Sequence, residues 1–152
     1  MQDRNGHPPR ILVVDDDRSV RQLCADALIG SGYRVDTVED AIDGWQALQA
    51  CNYSLLLTDN KMPMVSGIEL IAKLRSARMD LPVVLVSGAI PTEEIHRNPS
   101  LQLAATLQKP FTIAELFDTV EQVLRMGHCG NRSGLAFPMI AADASRLSPI
   151  AQ

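Results

Sequence analysis

Short apolar runs of strand length alternate along this chain with longer stretches whose apolar residues recur three and four apart. Ile11-Leu12-Val13-Val14 predicts a buried first strand, stopping at Asp15-Asp16-Asp17. Val20, Leu23, Cys24, Ala27 and Leu28 then give a helix one apolar face, and Gly30-Ser31-Gly32 ends it. Arg34 to Val38 alternates, as a strand with one wet face does. A second helix from about Ala41 carries Gly44, Ala47, Leu48 and Cys51 on one stripe, with Trp45 off it. Leu55-Leu56-Leu57-Thr58-Asp59 reads as a central parallel strand, buried on both faces and followed by a Met62-Pro63 turn. Ser66 and Glu69 have capping-box spacing ahead of a helix that buries Leu70, Ile71 and Leu74. Pro82 to Val86 is a fourth buried strand, ending in Ser87-Gly88. Thr92 is the predicted N-cap of a fourth helix, which Asn98-Pro99 breaks. Ala104 to Gln108 is the fifth strand, ended by Lys109-Pro110-Phe111. Thr112 and Glu115 repeat the capping box before the most regular amphipathic helix, marked by Ile113, Leu116, Phe117, Val120, Val123 and Leu124.

Strands alternating with helices predict an α/β fold, a doubly wound five-stranded parallel sheet of flavodoxin-like type in a single domain. Residues 1–9 read as a flexible N-terminal segment and residues 10–126 as the domain. Residues 127–152, rich in Gly, Ser, Ala and Pro, read as a disordered tail with one apolar island, Leu135 to Ile140, as a candidate for docking on the domain. A length of 152 residues leaves room for one proper core and not two. The net charge of −4 provides no basic stripe to neutralise phosphates, so direct nucleic-acid binding is not expected. No apolar run reaches membrane-spanning length and the polar N-terminus lacks a signal segment, which predicts a cytoplasmic protein with no membrane contact. Cys24, Cys51 and Cys129, odd in number and far apart, suit reduced thiols better than disulfides, with Cys24 and Cys51 assigned to core packing.

In an open α/β sheet, ligands sit outside the carboxyl ends of the strands. That rim collects Asp15 and Asp16 from strand one, Asp59 from strand three, Ser87 from strand four and Lys109 from strand five. A lone Asp at a strand end is most simply a turn cap. Three acids, a hydroxyl and a lysine at one edge exceed what capping explains. Clustered carboxylates raise each other's proton affinity, and a hard divalent cation such as Mg²⁺ relieves the repulsion. With a metal present, Asp59 is the candidate nucleophile for a phosphoryl group, of whose oxygens the metal neutralises one, Lys109 pairs with another, and the Ser87 hydroxyl and a backbone N–H take the third. Lys109 is also the expected resting ion-pair partner of Asp59, and a cis peptide before Pro110 would aim it at the rim.

Val13-Val14-Asp15-Asp16, Thr58-Asp59-x-x-Met62-Pro63-x-x-x-Gly67, Val86-Ser87-Gly88 and Gln108-Lys109-Pro110-Phe111 together resemble the receiver domain of bacterial two-component response regulators, over about Arg10 to Met126. The resemblance implies a phosphoacceptor that takes its phosphoryl group onto Asp59 from a sensor histidine kinase or histidine phosphotransfer protein. It implies Mg²⁺ held by Asp16, Asp59 and the backbone carbonyl of Lys61, with Asp15 acting through water. Ser87 matches the switch hydroxyl. The fourth helix, fifth strand and fifth helix match the surface that signals to a downstream protein or pairs two copies. Thr106 stands where the family usually has an aromatic that moves with the switch hydroxyl, so that coupling is expected to be weaker or of a different kind here. Nothing after Met126 resembles an output domain, and the chain reads as a stand-alone receiver or a piece of a longer protein.

Two other classes meet obstacles in the residues. A flavodoxin-like cofactor protein needs a Ser, Thr or Gly phosphate cradle after strand one, where this chain has three aspartates. A non-phosphorylated receiver-like interaction module would not need all five acceptor-site residues. His7, His96 and His128 occupy loop, broken-helix and tail contexts and read as surface residues.

Overall fold

The computed structural model describes residues 5–129. Five parallel strands form one sheet in the order β2-β1-β3-β4-β5: β1 (Arg10–Val14), β2 (Arg34–Val38), β3 (Leu55–Asp59), β4 (Val83–Ser87) and β5 (Ala105–Gln108). Helices α1 (Arg18–Gly30), α2 (Ala41–Ala50), α3 (Gly67–Ser76), α4 (Thr92–Arg97) and α5 (Ile113–Cys129) connect or follow them, with a 3₁₀ turn at Pro99–Leu101. The doubly wound α/β fold expected from the alternation is therefore present.

Every residue of β3 and β4 is buried, as continuous apolar runs covered on both faces require. Alternate residues of β1, β3 and β4 feed two cores. One contains Ile11, Val13, Leu55, Leu57, Val84 and Val86 with Leu28 of α1 and Leu116, Val120 and Val123 of α5. The other contains Leu12, Val14, Leu56, Val83 and Leu85 with Leu48 of α2 and Leu70, Ile71 and Leu74 of α3. β2 and β5 are the two edge strands, and β2 is only half covered.

The caps follow the sequence in two helices. Ser66 and Glu69 close a reciprocal capping box on α3, and Thr112 and Glu115 exchange the same pair of bonds at α5. Three details differ. Leu23 is 46% exposed, while Ala25 takes a buried place on α1. Cys24 is buried, whereas Cys51 ends α2 half-covered. Thr92 is the first residue of α4 and not its cap; Pro91 holds that position with no side-chain hydrogen bond, and the Thr92 hydroxyl donates instead to the Ile90 carbonyl. Trp45 packs against the second core with the Lys73 ammonium 4.9 Å from its ring centroid. At the N-terminal end of the domain, the Pro8 and Pro9 carbonyls accept hydrogen bonds from Arg34. The apolar island Leu135 to Ile140 lies outside the described residues.

Candidate functional site

Parallel register brings the strand ends level. Val14 pairs with Thr58 and Asp59 pairs with Val86, so Asp15, Asp59 and Ser87 come to one edge. They are 3%, 6% and 1% exposed, an unusual degree of burial for two acids. Asp16 is exposed beside them. Carboxylate oxygens of Asp15, Asp16 and Asp59 all lie within 4.8 Å of one another.

β5 delivers Lys109, whose backbone N–H donates to the Ser87 carbonyl at 2.9 Å. Its ammonium stands 3.1 Å from Asp15 Oδ2 and 3.3 Å from Asp59 Oδ1. The expected Asp59 pair is present, and Asp15 is a second partner that sequence reasoning did not supply. The Lys109–Pro110 peptide is cis, as anticipated. Burial raises the proton affinity of Asp59, the Asp15 charge adds to it, and Lys109 opposes both. For Lys109 burial works against the charged form, but the two carboxylates outweigh it and the ammonium is held above its usual range.

The acidic run divides by role. Asp17 is the N-cap of α1, accepting from the Ser19 and Val20 N–H groups. Asp15 Oδ1 accepts the Asp17 N–H at 2.9 Å while Oδ2 takes Lys109. The Asp15 carbonyl accepts from the Arg21 guanidinium at 2.8 Å. Capping thus explains one acid of the run and leaves the other two to the cluster.

Ser87 Oγ donates to the Ala89 carbonyl at 2.9 Å and accepts the Ala89 N–H at 3.2 Å, so it is engaged in the turn after β4. Thr106 is half-buried on β5, opposite Leu85. Lys61 follows β3 with an exposed side chain. Two polar residues at this edge escaped sequence reading: Arg21, which resembles any solvated residue of a first helical turn, and Asn60, whose side-chain oxygen accepts the Ile68 N–H at 3.1 Å. The only sequence signal for Asn60 is an amide immediately after a buried strand.

The donor set fits Mg²⁺. It is all oxygen, it carries three carboxylates against one ammonium, and Asp16 opens it to water, which Mg²⁺ retains in its shell. Both Asp15 oxygens already have partners, whereas the Asp16 carboxylate has no hydrogen bond or ion pair among the described residues.

The fold and site together define an open, doubly wound parallel α/β domain with an acidic cluster at the carboxyl ends of its strands. Residues 11–121 match the model of the response regulator receiver domain, and the chain belongs to that family. Among curated proteins it is similar to the probable transcriptional regulatory protein SilR of Salmonella typhimurium, 36% identical over 121 residues, which are 78% of this chain and 52% of that protein. The response regulator MprA of Mycolicibacterium vanbaalenii is 32% identical over 145 residues, 94% of this chain and 62% of that protein. The chain therefore spans about half to three-fifths of the length of these relatives. Because SilR is named a transcriptional regulator, the expected lack of nucleic-acid contact gains no support from it. Among solved structures, response regulator TrrA of Thermotoga maritima in complex with Mg²⁺-BeF is 28% identical with a TM-score of 0.68, covering 76% of this chain and 98% of that one. A CheY-like receiver domain protein from Methanospirillum hungatei is 26% identical with a TM-score of 0.75, covering 80% and 97%. Among the described residues, no helix is long and apolar enough to cross a membrane.

Proposed function

We propose that this chain is the phosphoacceptor of a cytoplasmic two-component pathway, taking a phosphoryl group onto Asp59 from a sensor histidine kinase or histidine phosphotransfer protein. The observation that carries this reading is the buried Asp59 carboxylate, 3.3 Å from the Lys109 ammonium inside a cluster of acids. In the transfer, an Asp59 oxygen bonds to phosphorus as the donor's N–P bond breaks. The electron pair returns to the imidazole, which takes up a proton from water. Lys109 sits where it can leave its ion pairs with Asp15 and Asp59 and neutralise a phosphoryl oxygen, as phosphoryl transfer demands. Burial of Asp59 limits the access of water, and its raised proton affinity marks a carboxylate that gains from a cation.

Asp16, Asp59 and the Lys61 carbonyl would hold Mg²⁺, with Asp15 acting through water, as the family resemblance implies. When bound, the ion supplies charge neutralisation at the acceptor and at one phosphoryl oxygen. Ser87 would exchange its Ala89 partners for the phosphoryl group and so release the turn before α4. The face of α4, β5 and α5 would carry the signal to a downstream protein or a second copy, with Thr106 giving it a weaker aromatic-free coupling. The same rim assists phosphorylation and later hydrolysis, so the chain acts as a signalling acceptor and not as an enzyme on other substrates.

Incubation with a small-molecule phosphodonor tests this. Intact mass should show one phosphoryl adduct in Mg²⁺ and none in EDTA, and Asp59→Asn should abolish it. An adduct that survives Asp59→Asn would falsify the assignment.

A further inference from the structure

Asn60 follows the acceptor aspartate, and three of its polar groups are used at once. Its backbone N–H donates to the Val86 carbonyl at 3.0 Å, continuing the β3–β4 ladder past Asp59. Its carbonyl accepts the Gly67 N–H at 2.9 Å, and its side-chain oxygen accepts the Ile68 N–H at 3.1 Å. The loop of residues 61–66 therefore leaves Asn60 and returns to Asn60. Closure is tight: a Cβ on Gly67 would overlap the Asp59 carbonyl oxygen, which also accepts the Thr58 hydroxyl at 2.9 Å.

The Asn60 side chain caps α3 from outside the helix, and that bond also fixes the loop between them. Ser66 and Glu69 already form a complete capping box there, so the Ile68 N–H is a further donor that the box leaves over. The two backbone bonds of Asn60 would form with other residue types at this position. The side-chain bond is what asparagine adds, and it ties the first turn of α3 to the residue between Asp59 and Lys61.

We propose that Asn60 is a positioning residue of the metal site, setting the arc of the β3–α3 loop and with it the Lys61 carbonyl. This rests on the phosphoacceptor reading above, in which that carbonyl is a Mg²⁺ ligand. Asn60 touches neither metal nor phosphorus; it acts through the loop. Losing the tie costs about one net hydrogen bond of ordering, about a fivefold change in a constant.

Calorimetric titration with Mg²⁺ alone, thermal melting, and amide exchange of the metal-free protein test the role together. Asn60→Ala should raise the Mg²⁺ dissociation constant about fivefold and speed exchange at Ile68 and across residues 61–65, while phosphorylation at saturating Mg²⁺ stays near the wild-type rate. Asn60→Asp keeps the acceptor oxygen and should bind Mg²⁺ at least as tightly as wild type. Asn60→Leu, similar in size but without an acceptor, should behave as Asn60→Ala and stands in for it if that variant fails to fold. Unchanged Mg²⁺ affinity in both acceptor-free variants, with only a lower melting temperature, reduces Asn60 to a helix cap and overturns the role. Equal weakening in Asn60→Asp overturns it too. Wild-type protein without Mg²⁺ affinity removes the phosphoacceptor reading itself, and this role with it.

Discussion

Asp59 is held in the fold at a cost. Burial and the Asp15 charge raise its proton affinity above that of the unfolded chain, despite Lys109. A carboxyl with a raised folded pKa contributes stability that is complete below its unfolded pKa and disappears as pH rises through the folded value. Metal-free Asp59→Asn should therefore melt higher than wild type at neutral pH, and the gap should close as pH falls below about 3.9. Mg²⁺ should reverse the order by stabilising the wild type alone. Melting curves in EDTA across pH check this, and a gap independent of pH would contradict it. Met64 carries a different cost, with φ at 69° and its side chain 85% exposed. A left-handed non-glycine residue is strained by roughly 1–2 kcal/mol, while glycine loses roughly 0.5–1 kcal/mol through chain entropy. Since little packing is lost at this exposure, strain wins. Met64→Gly should gain about 0.5–1 kcal/mol in urea unfolding; a loss would mean that the side chain is packed in solution.

Among the elements, α4 stands apart. It has six residues, no fully buried side chain and no side-chain cap at its N-terminus, so only the half-buried Ile95 and the Asn98 amide on the Glu94 carbonyl offset the cost of nucleating it. Its partner in the proposed switch, Ser87, is bonded to the turn just before it. The segment after α4 is anchored from elsewhere: Arg75 of α3 donates to the Leu101, Gln102 and Met79 carbonyls at 2.9, 3.2 and 2.7 Å. Burial lowers the proton affinity of this guanidinium, with Asp80 opposing, and it makes no ion pair within 4 Å among the described residues. Arg75 thus fixes the far end of the α4 region while the near end hangs on Ser87. Arg75→Met should cost about 2 kcal/mol, the scale of losing charge-assisted bonds. It should also accelerate amide exchange at residues 99–102 while leaving β4 protected. Unaltered exchange there would show that the turn holds itself.

At the scale of the whole molecule, two apolar layers clamp a sheet whose central strands have no wet face. Residues that must leave water announce themselves by type and spacing, which is why the alternation predicted five strands, five helices and their order. The same local chemistry made two capping boxes legible. The acidic rim was readable for a related reason: parallel crossovers oblige strand ends to meet, so Asp15, Asp16, Asp59, Ser87 and Lys109 could be grouped from their positions alone. Tertiary structure decided what depends on distance and competition among neighbours. It gave Lys109 a second carboxylate, separated Asp17 as a cap from Asp15 and Asp16, and moved Leu23 outside and Ala25 inside on α1. It also recruited Arg21, Asn60 and Arg75 to backbone groups 6, 8 and 26 residues away. A polar side chain carries no periodicity, so nothing in its neighbours along the chain reveals which distant carbonyl or N–H folding will bring within reach.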